Sequence, residues 1–172
     1  VFEKIQPQIM TNTEPGYFID FGKNYCGYLN FTALGNRYDK IRILSGQEKD
    51  KNNRVIYKMK ANCAYEDEMI LSGGNDAFNP FDYKALRFAE LILPKSCTID
   101  ENSVFLTARH YPFELKASFL SADENIEKIK DLCLHTLKYG TQETVMDCPD
   151  REKGFYLGDG CYTALTLCVL TN

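Results

Sequence analysis

The sequence predicts a mainly β chain, an antiparallel β-sandwich followed by two helices. Three observations lead there. Short aromatic and β-favouring runs recur through the first two thirds of the chain, each bounded by turn residues. At Ser121 the hydrophobic period changes from two to about 3.6. A second apolar run, from Asp159 to Leu170, then has the length of a helix.

The strands come in order. Tyr25 to Ala33 is aromatic and β-favouring, and Gly35-Asn36 punctuates it before the alternating run Lys40 to Leu44. That pair reads as a hairpin with a longer loop. Further strands are expected over Arg54 to Met59, Glu68 to Leu71, Leu86 to Leu93, Ser103 to Arg109 and Phe113 to Phe119. Ser72 to Asp76, Asn79-Pro80 and Pro94 to Ser96 separate them as turns. Many short strands with such breaks imply two packed antiparallel sheets. Ser121 and Glu124 form a capping box, and Ile126, Ile129, Cys133, Leu134 and Leu137 carry one helical face. This helix is expected from Ala122 to Tyr139, with Gly140 as its stop. Asp159 is placed to cap the second helix, whose apolar residues cover more than one face. The domains are therefore a β-sandwich over residues 1–119 and a helical segment over residues 120–172.

Composition narrows the class. A net charge of -4 gives no basic footprint for nucleic acid. No run of about 18 apolar residues is present to cross a membrane. Val1 opens no signal peptide. The chain stops two residues after an apolar helix, which predicts a piece of a longer protein. Seven scattered cysteines without a C-x-x-C pair exclude a zinc ribbon and point to a reducing compartment, the cytoplasm, with periplasm and secretion left open. Eleven Tyr and eleven Phe suit a β core and also suit stacking on sugars. His110 and His135 stand at no ligand spacing, so no metal and no cofactor is expected, a peripheral calcium ion being left open.

The loop between the helices holds the chemistry. From Asp147 to Asp159 there are four carboxylates and two cations in thirteen residues. A solvated acidic loop accounts for the charges alone. Yet Val145, Met146, Cys148, Phe155, Tyr156 and Leu157 are interleaved with them, which pulls the loop toward burial. Arg151, between Asp150 and Glu152, is placed to keep one carboxylate ionised while another stays protonated. Carboxylates with divergent environments are what glycoside hydrolysis needs.

The run Asp147-Cys148-Pro149-Asp150-Arg151-Glu152, with Asp159 twelve residues after the first aspartate, resembles the active-site signature of the bacterial α-L-rhamnosidases, glycoside hydrolase family 78. Asp20-Phe21-Gly22-Lys23-Asn24 through Tyr28 is similar to that family's D-F-G-x-N-x-x-G strand and turn. Gly46-Gln47-Glu48 falls where the family ends its next strand, and Pro80 to Phe88 resembles its P-x-F-x-x-x-x-F-R-Y stretch. Phe119 to Leu132 matches its entry into the catalytic domain. The matches span about residues 17 to 168 in order. Two departures stand out: the family's tryptophan is missing from Gly154 to Asp159, and Leu86 replaces a phenylalanine before Arg87.

The resemblance implies a concanavalin-like sandwich followed by the first two helices of an (α/α)6 barrel. It implies inversion at the anomeric carbon of a terminal α-L-rhamnoside, with rhamnose-containing glycosides or polysaccharides as partners. Glu152 would be the general acid, and Asp147, Asp159 and Arg151 would bind the sugar or tune the acid. Free glutamate titrates at about 4.3, so negative neighbours must raise its proton affinity. The general base of this family lies farther along its barrel, so the isolated chain is expected to be inactive. The alternative is a non-catalytic carbohydrate-binding β-sandwich. A third account, an interdomain piece, has the apolar helix faces docking a neighbour.

Overall fold

The computed structural model describes residues 1–171 and divides into two compact units, Phe2–Ala108 and a second made of Val1 with the residues from Arg109 onward. The first is β and the second carries the helices, so the expected fold class holds.

Nine strands are present: β1 (Phe2–Ile5), β2 (Ile9–Thr13), β3 (Gly16–Leu34), β4 (Lys40–Gly46), β5 (Glu66–Ile70), β6 (Asn75–Phe78), β7 (Lys84–Ile92), β8 (Thr98–Ile99) and β9 (Phe105–Arg109). The 19-residue β3 organises them. It pairs antiparallel with β2, β6, β7, β8 and β9, while β4 pairs antiparallel with β7 and β5. Alternation assigns the core within each regular stretch, and the register shift between β3 and β7 at Arg87 changes the phase, so that Leu86 and Leu91 both reach it. Ile19, Phe21, Leu29 and Phe31 of β3, Ile41 and Ile43 of β4, Leu86 and Leu91 of β7 and Leu106 of β9 are all buried in one cluster. Phe18 and Asp20 of β3, with Phe88 and Glu90 of β7, stand on the other face in register: Phe18 opposes Glu90 and Asp20 opposes Phe88.

A large bulge interrupts β3. Asp20 pairs with Phe88 and Tyr25 with Leu86, so Phe21, Gly22, Lys23 and Asn24 together face Arg87. The Arg87 guanidinium holds Asp20 through two bonds, Nε to Oδ1 at 2.8 Å and Nη2 to Oδ2 at 3.0 Å. The Gly22 N–H donates to the same carboxylate at 2.6 Å. The bond to Arg87 lowers the Asp20 pKa more than burial raises it. Asn24 Nδ2 donates to Gln47 Oε1 at 2.7 Å. Gly22 has φ +82, a conformation that favours glycine; a Cβ there would also lie about 2.1 Å from the Gln8 amide, which would have to move. Three stretches that carried the family resemblance thus meet at one bulge.

Several expected elements differ. β1 and β2 were not anticipated, being short and mixed in polarity. Asn75–Phe78, partly expected as turn, is β6. Arg54 to Met59 is no strand; it makes only the bridges Lys49–Val55 and Lys58–Ala64, because Arg54 and Val55 are bonded to Glu90 on the sheet face. Phe113 to Phe119 is extended but unpaired with any strand; the Lys116 and Ala117 N–H groups donate to the Leu170 carbonyl at 2.7 and 3.1 Å.

The helices are α1 (Glu124–Gly140) and α2 (Leu157–Thr171). The N-cap of α1 is Asp123, not Ser121: its side chain accepts from the Asn125 N–H at 2.8 Å. Ser121 Oγ accepts from the Asp123 N–H at 3.1 Å, and Glu127, not Glu124, returns to the Ser121 N–H at 2.7 Å. The reciprocal box has slid along the chain because Asp is as good a cap as Ser, and Lys130 holds Glu127 in place. Gly140 is the last helical residue; Thr141 follows it, its Oγ1 donating to the Leu137 carbonyl at 2.8 Å. α2 starts at Leu157, so Asp159 lies within its first turn rather than capping it. Ile126, Ile129 and Leu132 of α1 and Tyr162, Leu165 and Val169 of α2 are exposed. No helix among the described residues is long and apolar enough to cross a membrane.

Candidate active site

The loop from Thr141 to Tyr156 joins the two helices, and its first part is anchored. Gln142 is buried, and its Nε2 donates to the carbonyls of Arg109 at 3.0 Å and Tyr139 at 2.8 Å. Arg109 Nη2 meets Glu143 Oε2 at 2.6 Å, and Thr141 bridges to Val145. His110 and His135 both pack their rings on Tyr139, at centroid distances of 5.7 and 4.8 Å. Met146 is buried directly before the first acidic residue.

From there the chain closes a small ring. The Asp147 N–H donates to the Gly154 carbonyl at 2.9 Å, and the Gly154 N–H donates to Asp147 Oδ1 at 2.9 Å. Lys153, with φ +51, makes the turn that allows this. Inside the ring the Cys148 thiol donates to Asp147 Oδ2 at 3.2 Å. Glu152 reaches back to the Asp147 carboxylate as well. A hydrogen bond between two carboxyl groups requires one proton between them. Burial works against charge on Asp147, yet hydrogen bonds from the Cys148 backbone, Glu152, the Cys148 thiol and Gly154 outweigh it and bring its pKa down to about 2. Asp147 is thus an ionised acceptor at the centre of the ring, with the Glu152 carboxyl group against it.

Arg151 is the other neighbour. Its Nη1 lies 2.6 Å from Glu152 Oε1, and both side chains are partly open to water, which weakens the ion pair. Glu152 thus contacts both the Asp147 carboxylate and the Arg151 guanidinium. Asp150 accepts from the Arg151 N–H at 2.9 Å and shapes the turn. Asp159 is exposed in the first turn of α2 and is outside the group that Asp147, Cys148 and Glu152 form.

Those three residues are also the group whose ligand atoms lie close enough for one cation, all within 4.8 Å of one another. Burial is the main cause that raises the Cys148 pKa, with Asp147 and Asp150 adding to it. The thiol is therefore a proton donor to Asp147 rather than a thiolate ligand, and metal binding would have to displace that proton. Sequence reasoning brought Asp147, Arg151 and Glu152 forward correctly as neighbours. It missed the thiol bond and the ring closure at Gly154; the positive φ of Lys153 left no signal in the sequence.

The depressed Asp147 pKa has a measurable consequence. A ¹³C NMR titration of its carboxylate should show a midpoint near pH 2, against the usual 3.8. A folded-state pKa below the unfolded one contributes stability that is complete above about pH 4 and is lost as pH falls toward 2. A midpoint near 3.8 would mean that the ring does not form.

Comparison with known proteins places the fold. No family model matches the sequence. No curated protein matches it. Solved structures of glycosidases do match. The α-L-rhamnosidase from Dictyoglumus thermophilum superposes with a TM-score of 0.74 at 24% identity, over 88% of this chain and 17% of that one. The α-L-rhamnosidase from Aspergillus terreus gives 0.73 at 24% identity, over 88% and 18%. A rhamnosidase from Klebsiella oxytoca, solved with rhamnose bound, gives 0.77 at 16% identity, over 95% and 34%. This chain therefore has the fold of a portion of these enzymes, and it spans less than a fifth of the first two.

Proposed function

We propose that the chain is the part of an inverting α-L-rhamnosidase of glycoside hydrolase family 78 that carries the proton donor, Glu152. The observation that carries this reading is the carboxyl pair: an ionised Asp147 bonded to Glu152 within a closed ring. The residues of the pair are those of the D-C-P-x-R-E run, and the fold likeness to solved rhamnosidases supports the same assignment.

Glu152 would protonate the departing glycosidic oxygen. Asp147 would accept a hydrogen bond from the Glu152 acid until transfer, and Glu152 would take up a new proton from solvent after the aglycone leaves. Asp159 and Arg151 would bind sugar hydroxyls at the rim. Arg151 must leave Glu152 or turn to substrate as the sugar enters, since its present contact opposes proton donation. Inversion also needs a second carboxylate roughly 6.5–9.5 Å from the acid, with water between them. On this reading the base is supplied by further barrel helices, which would cover the exposed apolar faces of α1 and α2. Residues 1–172 alone would then turn over no rhamnoside.

The test is hydrolysis of an alkyl α-L-rhamnoside, whose leaving group needs a proton, by a polypeptide that joins residues 1–172 to the rest of such a barrel. Activity that depends on Glu152 supports the reading. Activity on rhamnosides that Glu152→Gln leaves unchanged would remove Glu152 from the role of acid.

A further inference from the structure

The Phe2–Ala108 unit contains a groove of about 510 Å³ on the sheet face opposite its core. That volume is within the range of about 300–1,000 Å³ usual for small-molecule sites. Its floor is made by β3 and β7, one wall by β2 and the turn Glu14–Pro15, and the other wall by the segment Lys49 to Arg54.

The floor holds two buried carboxylates, Asp20 at 6% exposure and Glu90 at 4%. Neither is free to repel an anion or to bind a cation. Asp20 is closed by Arg87 and the Gly22 N–H. Glu90 accepts from Arg54 Nε and Nη2 and from the Val55 N–H, at 2.7–3.0 Å. Three further charged groups bear on the groove: the cations Arg54 and Lys49, and the exposed carboxylate of Glu14 at the turn beside Pro15. Arg54 is 57% exposed, and its Nη1 has no protein partner among the described residues. Glu90 fixes the plane of the guanidinium and so aims that remaining edge. Lys49 is exposed and in no ion pair; its Nζ lies 5.8 Å from the ring centroids of both Phe18 and Phe88. The two rings are stacked at 5.7 Å, and Phe18 is part of the groove lining.

The neutral polar lining includes Thr11 and Thr13 on one wall and Asn52 and Asn53 on the other, with Ile9, Leu91 and Ile92 adding apolar surface. Asn53 has φ +59 in a turn pinned by Asp50, whose backbone carbonyl accepts from the Asn53 N–H at 3.0 Å. Hydroxyls and amides suit a polyhydroxylated ligand. An aromatic edge with Ile92 beside it suits the apolar face of a pyranose. A pre-oriented arginine edge with an unpaired lysine suits a carboxylate.

We propose that this groove binds an oligosaccharide that contains a carboxylated sugar. The site lies wholly within the β unit and does not depend on the acid loop, so it stands whether or not Glu152 is a proton donor. Its occupant is held by Lys49 and Arg54 at the carboxylate and by the threonine and asparagine walls at the hydroxyls.

The experiment is a chemical-shift titration of the 172-residue chain with three probes: a uronic-acid trisaccharide, a neutral trisaccharide of the same linkage, and inorganic phosphate. Saturable binding is expected for the uronate, at least tenfold tighter than for the neutral sugar, and weakening as salt rises. Phosphate should produce no saturable shift in the groove. Lys49→Ala, an exposed change that leaves the Arg54–Glu90 pair intact, should bring uronate affinity down to the neutral level. Glu152→Gln should leave it unchanged, which separates this site from the acid loop. Absence of saturable binding, equal binding of the neutral sugar, equal binding of phosphate, or an unaffected Lys49→Ala protein would each overturn the proposal.

Discussion

Glu152→Gln, in a polypeptide that completes the barrel, is expected to lower turnover of a rhamnoside with a poor leaving group by about 10²–10⁴-fold, the usual contribution of a positioned general acid. The amide keeps the shape of the side chain and can still donate to the Asp147 carboxylate, so the ring between Asp147 and Gly154 should survive. What it cannot do is release a proton. The loss should therefore depend on the leaving group. A nitrophenolate departs without protonation, so its rhamnoside should lose far less than an alkyl rhamnoside. The acid limb carries a second signature. Asp147 is ionised from about pH 2 upward, so across the neutral range its charge is constant and the descending limb of the pH profile reports deprotonation of the donor. Glu152→Gln should abolish that limb. Equal losses on both substrates with the limb retained would assign Glu152 to sugar binding instead.

Arg54→Ala is expected to destabilise the β unit by about 2–3 kcal/mol. Removing one partner of a fully buried ion pair costs about 3–5 kcal/mol, because the other charge is left without compensation. Glu90 is that buried charge, but Arg54 is more than half exposed, so water recovers part of the loss. The segment Lys49 to Val55 should loosen at the same time, since Glu90 also holds the Val55 N–H. Changing both residues, Arg54→Ala with Glu90→Met, removes the stranded charge. Most of the stability should return, with the unpaired Val55 N–H accounting for the remainder. Urea unfolding of the four proteins in a double-mutant cycle measures the coupling. A single Arg54→Ala change within 0.5 kcal/mol of the parent would show that Glu90 is not desolvated as the structure has it.

Much of the β unit was legible because its strands satisfy a strict rule. β3, β4, β7 and β9 must place alternate side chains in one core, and Leu29-Asn30-Phe31 or Ile41-Arg42-Ile43 display that alternation openly. β1 and β2 were not legible, because neither contributes a buried run and each is defined by the strand it joins. Arg54 to Met59 misled for a related reason. Its residues favour strands, but the Arg54–Glu90 pair draws the chain across a face instead of along an edge. In the site, Asp147 and Glu152 came forward through the family resemblance of the D-C-P-x-R-E run. Cys148 read as a small buried hydrophobe, and only the fold shows its thiol turned to Asp147. Asp159 carried a capping signal that α2 bypasses by starting two residues earlier.

The bulge in β3 also divides that strand into two separately phased halves. Residues 16–20 keep one register with β7, and residues 25–27 keep another. An inserted or deleted residue within Gly22 to Asn24 would leave both registers with β7 in place, at the expense of the Gly22–Asp20 and Asn24–Gln47 bonds. The same event at Phe31 would turn every side chain from there to Leu34 to the opposite face, with β6 and β8 following. Among chains that share this architecture, length variation in β3 should therefore collect at the bulge, and the outer half of the strand should keep a fixed count of residues.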